Sequence, residues 1–252
     1  MRSWFAFLIC ASTAAAQPRP LTLDDFAKFQ DVGAPRCAPD GKWIAYTLTT
    51  TDTAADKRDT DVWMVSIDGK ESIRATSSSE SESAPQWSPD GKYLSFLSSR
   101  PGKAKGAQVW GIDRRGGEAQ QLTDVKGRLS AYEWSPNGKR LALIVKEEEE
   151  PAPKEGEKKD EKPKPIVIDR YAYKRDGAGY LSGTKRTRVV IYDLATKKAE
   201  TVTTENFDET NPTWSPDGKW IAFVSNRTPD PDRNRNTDIW VVEAKANSAP
   251  RR

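Results

Sequence analysis

The sequence predicts an all-β fold, an incomplete β-propeller of about four blades, on three observations. A P-[DN]-G-K turn recurs four times, with its prolines at 39, 89, 136 and 216. Each turn opens a strand in which bulky residues alternate with small ones. Further short strands lie between the turns, about four per repeat of roughly 40–50 residues, which is the arithmetic of a propeller blade.

The first element along the chain is a leader. Arg2 supplies a positive start, residues 4–11 a short apolar core, and Ala14-Ala15-Ala16 a small-residue cleavage site before Gln17. This is the pattern of a secretory signal peptide over 1–16, which sends the mature domain, 17–252, to the periplasm or outside the cell. The apolar run is too short to span a bilayer as a helix, so no membrane attachment is expected after cleavage. Cys37 is then the only cysteine left, and a lone thiol forms no internal disulfide. Helix is scarce. Thr22 and Asp25 resemble a capping box and predict a short helix over 22–29.

The repeats follow. Cys37-Ala-Pro-Asp-Gly-Lys-Trp-Ile-Ala-Tyr46 aligns with Trp87-Ser-Pro-Asp-Gly-Lys-Tyr-Leu-Ser-Phe96, Trp134-Ser-Pro-Asn-Gly-Lys-Arg-Leu-Ala-Leu143 and Trp214-Ser-Pro-Asp-Gly-Lys-Trp-Ile-Ala-Phe223. Proline presets φ at the second turn position, and glycine takes the positive φ that other residues avoid. In the strand that leaves the turn, Ile44 and Tyr46, Leu94 and Phe96, Leu141 and Leu143, and Ile221 and Phe223 share one face. Ala45, Ser95, Ala142 and Ala222 occupy the other, and a face of small residues suits sheets that must approach closely. The next strands are read at 61–66, 108–112, 188–193 and 238–242. Threonine-ended strands follow at 72–76, 119–123 and 199–203.

The prolines at 136 and 216 stand farther apart than the others because of an insertion at 146–165. It holds eight acids, six lysines and four prolines, cannot bury enough apolar surface to order itself, and reads as a disordered, nearly charge-balanced loop. After it, the Tyr- and Arg-rich segment 169–181 departs most from blade regularity. Arg170 and Arg175 offer cations and Tyr171 and Tyr173 aromatic faces, a set that could line a substrate channel. The plainer reading is that this segment rebuilds blade structure after the insertion. At 230–236, Asp230, Asp232 and Asn234 alternate as in a calcium loop. Arg235 stands where that loop needs glycine, however, and Val241 where it needs a bidentate Glu, so a polar hairpin loop is the better account.

Composition excludes more than it assigns. Forty basic against 37 acidic residues leave a net charge of +3, with the signs interleaved, so nucleic acid is not an expected partner. Histidine is absent, so no Ser-His-Asp triad or His-ligated metal can be built from this chain, and no catalytic residue, metal or cofactor is assigned. The last repeat ends where its own threonine-ended strand should follow. This predicts the front part of a longer protein, or an open edge through which copies could self-associate.

With these residues in view, the chain resembles the amino-terminal propeller of prolyl oligopeptidase family serine peptidases, in the secreted acylaminoacyl-peptidase and dipeptidyl-peptidase-like branch. The W-S-P-D-G-K repeats are shared with the TolB-like periplasmic propellers of the Tol system. The choice of branch rests on Leu21-Thr-Leu-Asp-Asp-Phe26, on 169–181, and on Phe223-Val-Ser-Asn-Arg-Thr-Pro-Asp-Pro-Asp-Arg-Asn234 leading to Asp238-Ile-Trp. The resemblance implies a propeller that gates peptide substrates before a carboxy-terminal α/β-hydrolase domain holding Ser, Asp and His, none of which matches a residue here. The alternative is a non-enzymatic periplasmic propeller that binds a protein partner, as in the Tol system.

Overall fold

The computed structural model of the chain describes residues 19–104, 106–146, 167–168, 171–176, 179–180 and 186–252. The leader and nearly all of the charged insertion lie outside them. A single turn of helix, α1 (Leu23–Phe26), precedes the strands and is shorter than the 22–29 read from sequence. Its N-terminus is held by Asp25, which accepts the Thr22 amide at 2.9 Å and is clamped by both guanidinium nitrogens of Arg19 at 2.6 Å.

Among the described residues the strands form four antiparallel blade sheets, each a meander, and one separate two-stranded hairpin. Blade 1 contains β1 (Asp31–Cys37), β2 (Trp43–Asp52), β3 (Lys57–Ser66) and β4 (Ser72–Arg74). Blade 2 contains β5 (Glu82–Trp87), β6 (Tyr93–Ser98), β7 (Gln108–Asp113) and β8 (Gln120–Gln121). Blade 3 starts with β9 (Arg128–Trp134) and β10 (Arg140–Lys146). The small hairpin of β11 (Lys174–Arg175) and β12 (Gly179–Tyr180) intervenes before β13 (Thr187–Asp193) and β14 (Lys198–Thr201) complete the blade. Blade 4 has β15 (Glu209–Trp214), β16 (Trp220–Ser225) and β17 (Asp238–Glu243), with Arg251 bridging to Val241 at the fourth-strand position. Lys146, placed in the insertion by composition, is the last residue of β10 and pairs with Thr187 and Arg128.

Each P-[DN]-G turn is built the same way. Its glycine has φ of 67° at Gly41 and 68° at Gly91, Gly138 and Gly218. The Gly91 amide donates to the Ser88 carbonyl at 2.8 Å, closing the turn. The Ser88 hydroxyl donates to Asp90 Oδ1 at 2.6 Å and accepts the Tyr93 amide at 3.0 Å, which ties the turn to the strand it opens. Ser135 with Asn137, and Ser215 with Asp217, repeat this wiring. Hydrogen bonds from Ser88 and Ser215 hold the Asp90 and Asp217 carboxyls below their ordinary range. A depressed carboxyl contributes stability that is complete above its unfolded value near 3.8 and is lost as pH falls through the folded value. Asn137 makes the same bonds without titrating. An Asp90→Asn and Asp217→Asn double variant should therefore lose less stability than the parent as the pH falls through 3.8 and below. Acid unfolding followed by circular dichroism reads the difference, and identical acid limbs would count against the assignment.

The core lies between blades. The small face of each sheet packs on the bulky face of the next. Ala45, Val62 and Met64 of blade 1 meet Leu94 and Phe96 of blade 2, and Ala142 and Ile144 of blade 3 meet Ile221 and Phe223 of blade 4. The repeat tryptophans lock these contacts. The Trp87 indole donates to the Arg36 carbonyl of blade 1 at 3.0 Å, and Trp214 to the Glu133 carbonyl of blade 3 at 3.2 Å. Trp134 donates instead to Ser95 Oγ at 2.8 Å. At the corresponding position blade 1 carries the exposed thiol of Cys37. The outward faces of the two end blades are only partly covered: Ile44, Tyr46, Ala222 and Val224 are half-buried and Ile239 is exposed.

Candidate functional site

Antiparallel order places the P-[DN]-G turns at one end of every blade. The connections between second and third strands, and the links from blade to blade, gather at the other. This loop end carries the irregular sequence, and a rigid scaffold presenting variable loops is the usual home of binding residues.

Two of the four channel candidates can be placed there in full. Tyr171 and Tyr173 are 73% and 45% exposed. The Arg233 guanidinium lies 5.9 Å from the Tyr171 ring centroid, and the Ala172 amide donates to Asp232 Oδ2 at 3.0 Å. The 171–176 segment of blade 3 is thus joined to the 226–237 loop of blade 4. Arg175 lies in β11, opposite Gly179 of β12. Arg170 is outside the described residues. The β11–β12 hairpin belongs to none of the four blade sheets, so the segment does not rebuild the blade, which resumes at β13. The physical reason is local: register with β10 is taken up by the apolar alternation of β13, which 171–176 lacks.

The 226–237 loop is the polar hairpin connection expected from its sequence. Asn226 Nδ2 donates to Asn234 Oδ1 at 2.9 Å, and Asn234 Nδ2 donates to the Asp230 carbonyl at 2.7 Å and to Thr228 Oγ1 at 3.0 Å. The Asn234 amide is therefore committed within the loop. Among the described residues, no group of Cys, Asp and Glu is arranged to hold a metal ion.

Beneath the loops lie two clusters that the sequence reading missed. In blade 4, Glu209 is fully buried. Its Oε1 accepts Arg227 Nη2 at 2.6 Å, and its Oε2 accepts the Val189 amide at 2.8 Å and the Thr203 hydroxyl. Arg227 also pairs with Glu205 and lies 5.0–5.3 Å from the rings of Phe207, Phe223 and Trp240. In blade 2, Glu82 accepts Thr76 Oγ1 at 2.8 Å and an Arg100 nitrogen, and Arg100 covers Phe96 and Trp110. Burial pushes both carboxyls above their ordinary range, and the threonine hydroxyls pull them back. The same burial lowers the Arg227 guanidinium. The signal was present in the sequence: threonine, then Glu six residues on, then Arg 18 further, occurs in both blades. At the junction of blades 2 and 3 this set is absent, and the buried Gln108 of β7 in blade 2 holds the link instead, its Oε1 accepting Thr123 Oγ1 at 2.8 Å and its Nε2 donating to the Val125 carbonyl at 2.9 Å. These charges are spent on fastening one blade to the next. Exposed at the loop end are Tyr171, Tyr173, Arg233 and Arg235, with Arg233 Nε 3.2 Å from Asp230 Oδ2.

Comparison with known proteins agrees with this architecture. The model of the TolB beta propeller domain matches residues 23–160. The chain is 30% identical over 229 residues to the uncharacterized peptidase YuxL of Bacillus subtilis, covering 88% of this chain and 34% of that protein. It therefore spans about a third of the length of that relative. The acylaminoacyl peptidase of Pyrococcus horikoshii superposes with a TM-score of 0.64 at 20% identity, covering 90% of this chain and 33% of that one. TolB from Acinetobacter baumannii gives 0.51 at 16% identity over 88% of this chain and 54% of that one. The structural likenesses speak for the fold. Among the described residues, no helix is long and apolar enough to cross a membrane.

Proposed function

This chain belongs to the TolB beta propeller domain family, and on that premise we propose that it is the substrate-gating propeller of an exported serine peptidase. Peptides meet the loop end of the blades before reaching an α/β-hydrolase domain that supplies Ser, Asp and His. Tyr171 and Tyr173 present faces to peptide side chains, and the basic residues of the same sequence segment, Arg170 and Arg175, are the candidates for peptide carboxylates. The observation that carries this reading is the 30% identity over 229 residues to a peptidase of which this chain spans only 34%. With no histidine in this sequence, the reading requires the triad to be supplied from outside it. Export rests on the leader at 1–16.

The family model also favours a second reading, a periplasmic propeller that binds a protein partner and performs no chemistry. The two differ in what they require beyond the propeller. Under the first, the reading frame past the Arg252 codon continues into a G-x-S-x-G hydrolase sequence followed by Asp and His. A frame with no hydrolase sequence would favour the second. Under both, the 252-residue chain purified by itself should not hydrolyse aminoacyl p-nitroanilides or acetylated dipeptides. Turnover that survives rigorous purification would overturn that expectation.

A further inference from the structure

At the turn end, opposite the loops, each pair of adjacent blades leaves a groove between two P-[DN]-G turns, backed by the tryptophan of the following blade. Two of these grooves are filled by an arginine of the chain itself. Between blades 1 and 2, Arg114 Nη1 donates to Asp40 Oδ2 at 2.7 Å and to the Gly91 carbonyl at 3.5 Å. Between blades 3 and 4, Arg140 Nη2 donates to the Gly218 carbonyl at 3.3 Å, and its guanidinium lies 5.0 Å from the Trp214 ring centroid.

The groove between blades 2 and 3 has no such filling. Strand register puts Leu194 where blade 2 carries Arg114, and Tyr93 where blade 3 carries Arg140. A space of about 540 Å³ remains. Its walls keep the groups that receive the arginines next door: Asp90 stands for Asp40, Trp134 for Trp214, and Gly138 for Gly91 and Gly218. Trp87 and Trp214 are buried, whereas Trp134 is only half-buried. Leu122, Leu194 and Pro89 complete an apolar lining for a side-chain stem.

We propose that this groove binds an arginine side chain presented by a peptide or protein segment. The guanidinium stacks on Trp134, donates to Asp90 Oδ2 as Arg114 does to Asp40 Oδ2, and donates to the Gly138 carbonyl, while its methylene stem lies along Leu122 and Leu194. Two lysines are near. Lys92 Nζ sits 3.4 Å from Asp90 Oδ2 and is largely exposed, and Lys197 Nζ is committed to the Leu122 carbonyl at 3.1 Å. An ammonium cannot stack on Trp134 as a planar guanidinium does. The site lies at the other end of the blades from the loop surface and stands whether or not a hydrolase domain is present.

The test is a titration of the 15N-labelled chain with acetyl-Gly-Arg-Gly-amide and with its neutral citrulline counterpart, followed at the Trp134 indole N–H. The arginine peptide should shift that signal saturably, and the citrulline peptide should bind about tenfold more weakly. Asp90→Asn should weaken arginine binding by about the same factor. Leu194→Arg, which copies the filling by Arg114, should abolish it. Tyr93→Arg, copying Arg140, is the second blocking variant should the first fail to fold. An unmoved Trp134 signal, equal responses to the two peptides, or undiminished binding to a folded blocking variant would each refute the site.

Discussion

Replacing Glu209 by alanine is expected to destabilise the chain by about 3–5 kcal/mol, because it strands a buried guanidinium. Glu209 accepts from Arg227, Thr203 and the Val189 amide, so its loss leaves three donors short of a partner at once. Glu205 alone then faces Arg227, and its carboxylate is half in solvent. Neither water nor rotation relieves the guanidinium, which is walled in by Phe207, Phe223 and Trp240. A buried pair costs much of its own attraction in desolvation, so removing both charges should hurt less than removing one. Glu209→Leu combined with Arg227→Met is therefore expected to recover a large part of the loss. Urea unfolding of the single and double variants measures this. A Glu209→Ala midpoint within experimental error of the parent would mean that the cluster does not fasten blade 3 to blade 4.

The second large effect tests the bulky-on-small rule. Phe96 is fully buried between blades 1 and 2, and Phe96→Ala should cost about 3–5 kcal/mol through lost burial and the cavity left behind. The opposite change probes the small face. Ala142 is fully buried against blade 4, so Ala142→Leu should overpack and cost about 1–3 kcal/mol. Ala222 occupies the same repeat position but is only half-buried on the outward face of blade 4. Ala222→Leu should stay within about 0.5 kcal/mol of the parent. Equal penalties at Ala142 and Ala222 would show that position in the strand, and not contact with the next blade, sets the cost.

These contrasts show which features were legible in sequence. The four turns, the two-faced second strands and the threonine-ended strands follow from φ requirements and period-two alternation, both local properties. The first strands of the blades were not picked out, since each is interrupted. Register shifts between Gly33 and Arg36, Ser83 and Gln86, and Thr210 and Thr213, and the alternation breaks with them. A signal was nevertheless there. Ala34, Ala84 and Asn211 hold φ of 48°, 50° and 51°, each directly before a proline and three residues before the Cys or Trp that ends the strand. A bulge tolerates proline where a regular ladder would lose a hydrogen bond. At the site, the aromatic and basic character of 171–175 could be read directly. That it meets 230–236 could not, because the contact joins loops of two blades. The Glu–Arg clusters were equally hidden, because 18 residues bring their partners together only once a second strand has folded back on a bulged first one.

The unbroken register of β10 with β13 has a consequence for how the chain comes together in time. In blade 2 the second and third strands are joined by the short stretch from Ser98 to Gln108, whereas in blade 3 the chain runs from Lys146 to Thr187 before pairing resumes. Loop-closure entropy rises by about 0.6 kcal/mol per doubling, so a connection roughly four times longer costs about 1.2 kcal/mol more to close. That sum is small against the finished blade but falls wholly on the nucleating step. Blade 3 should therefore be the last of the four to zip, on a template already offered by its neighbour, and the array should assemble towards it.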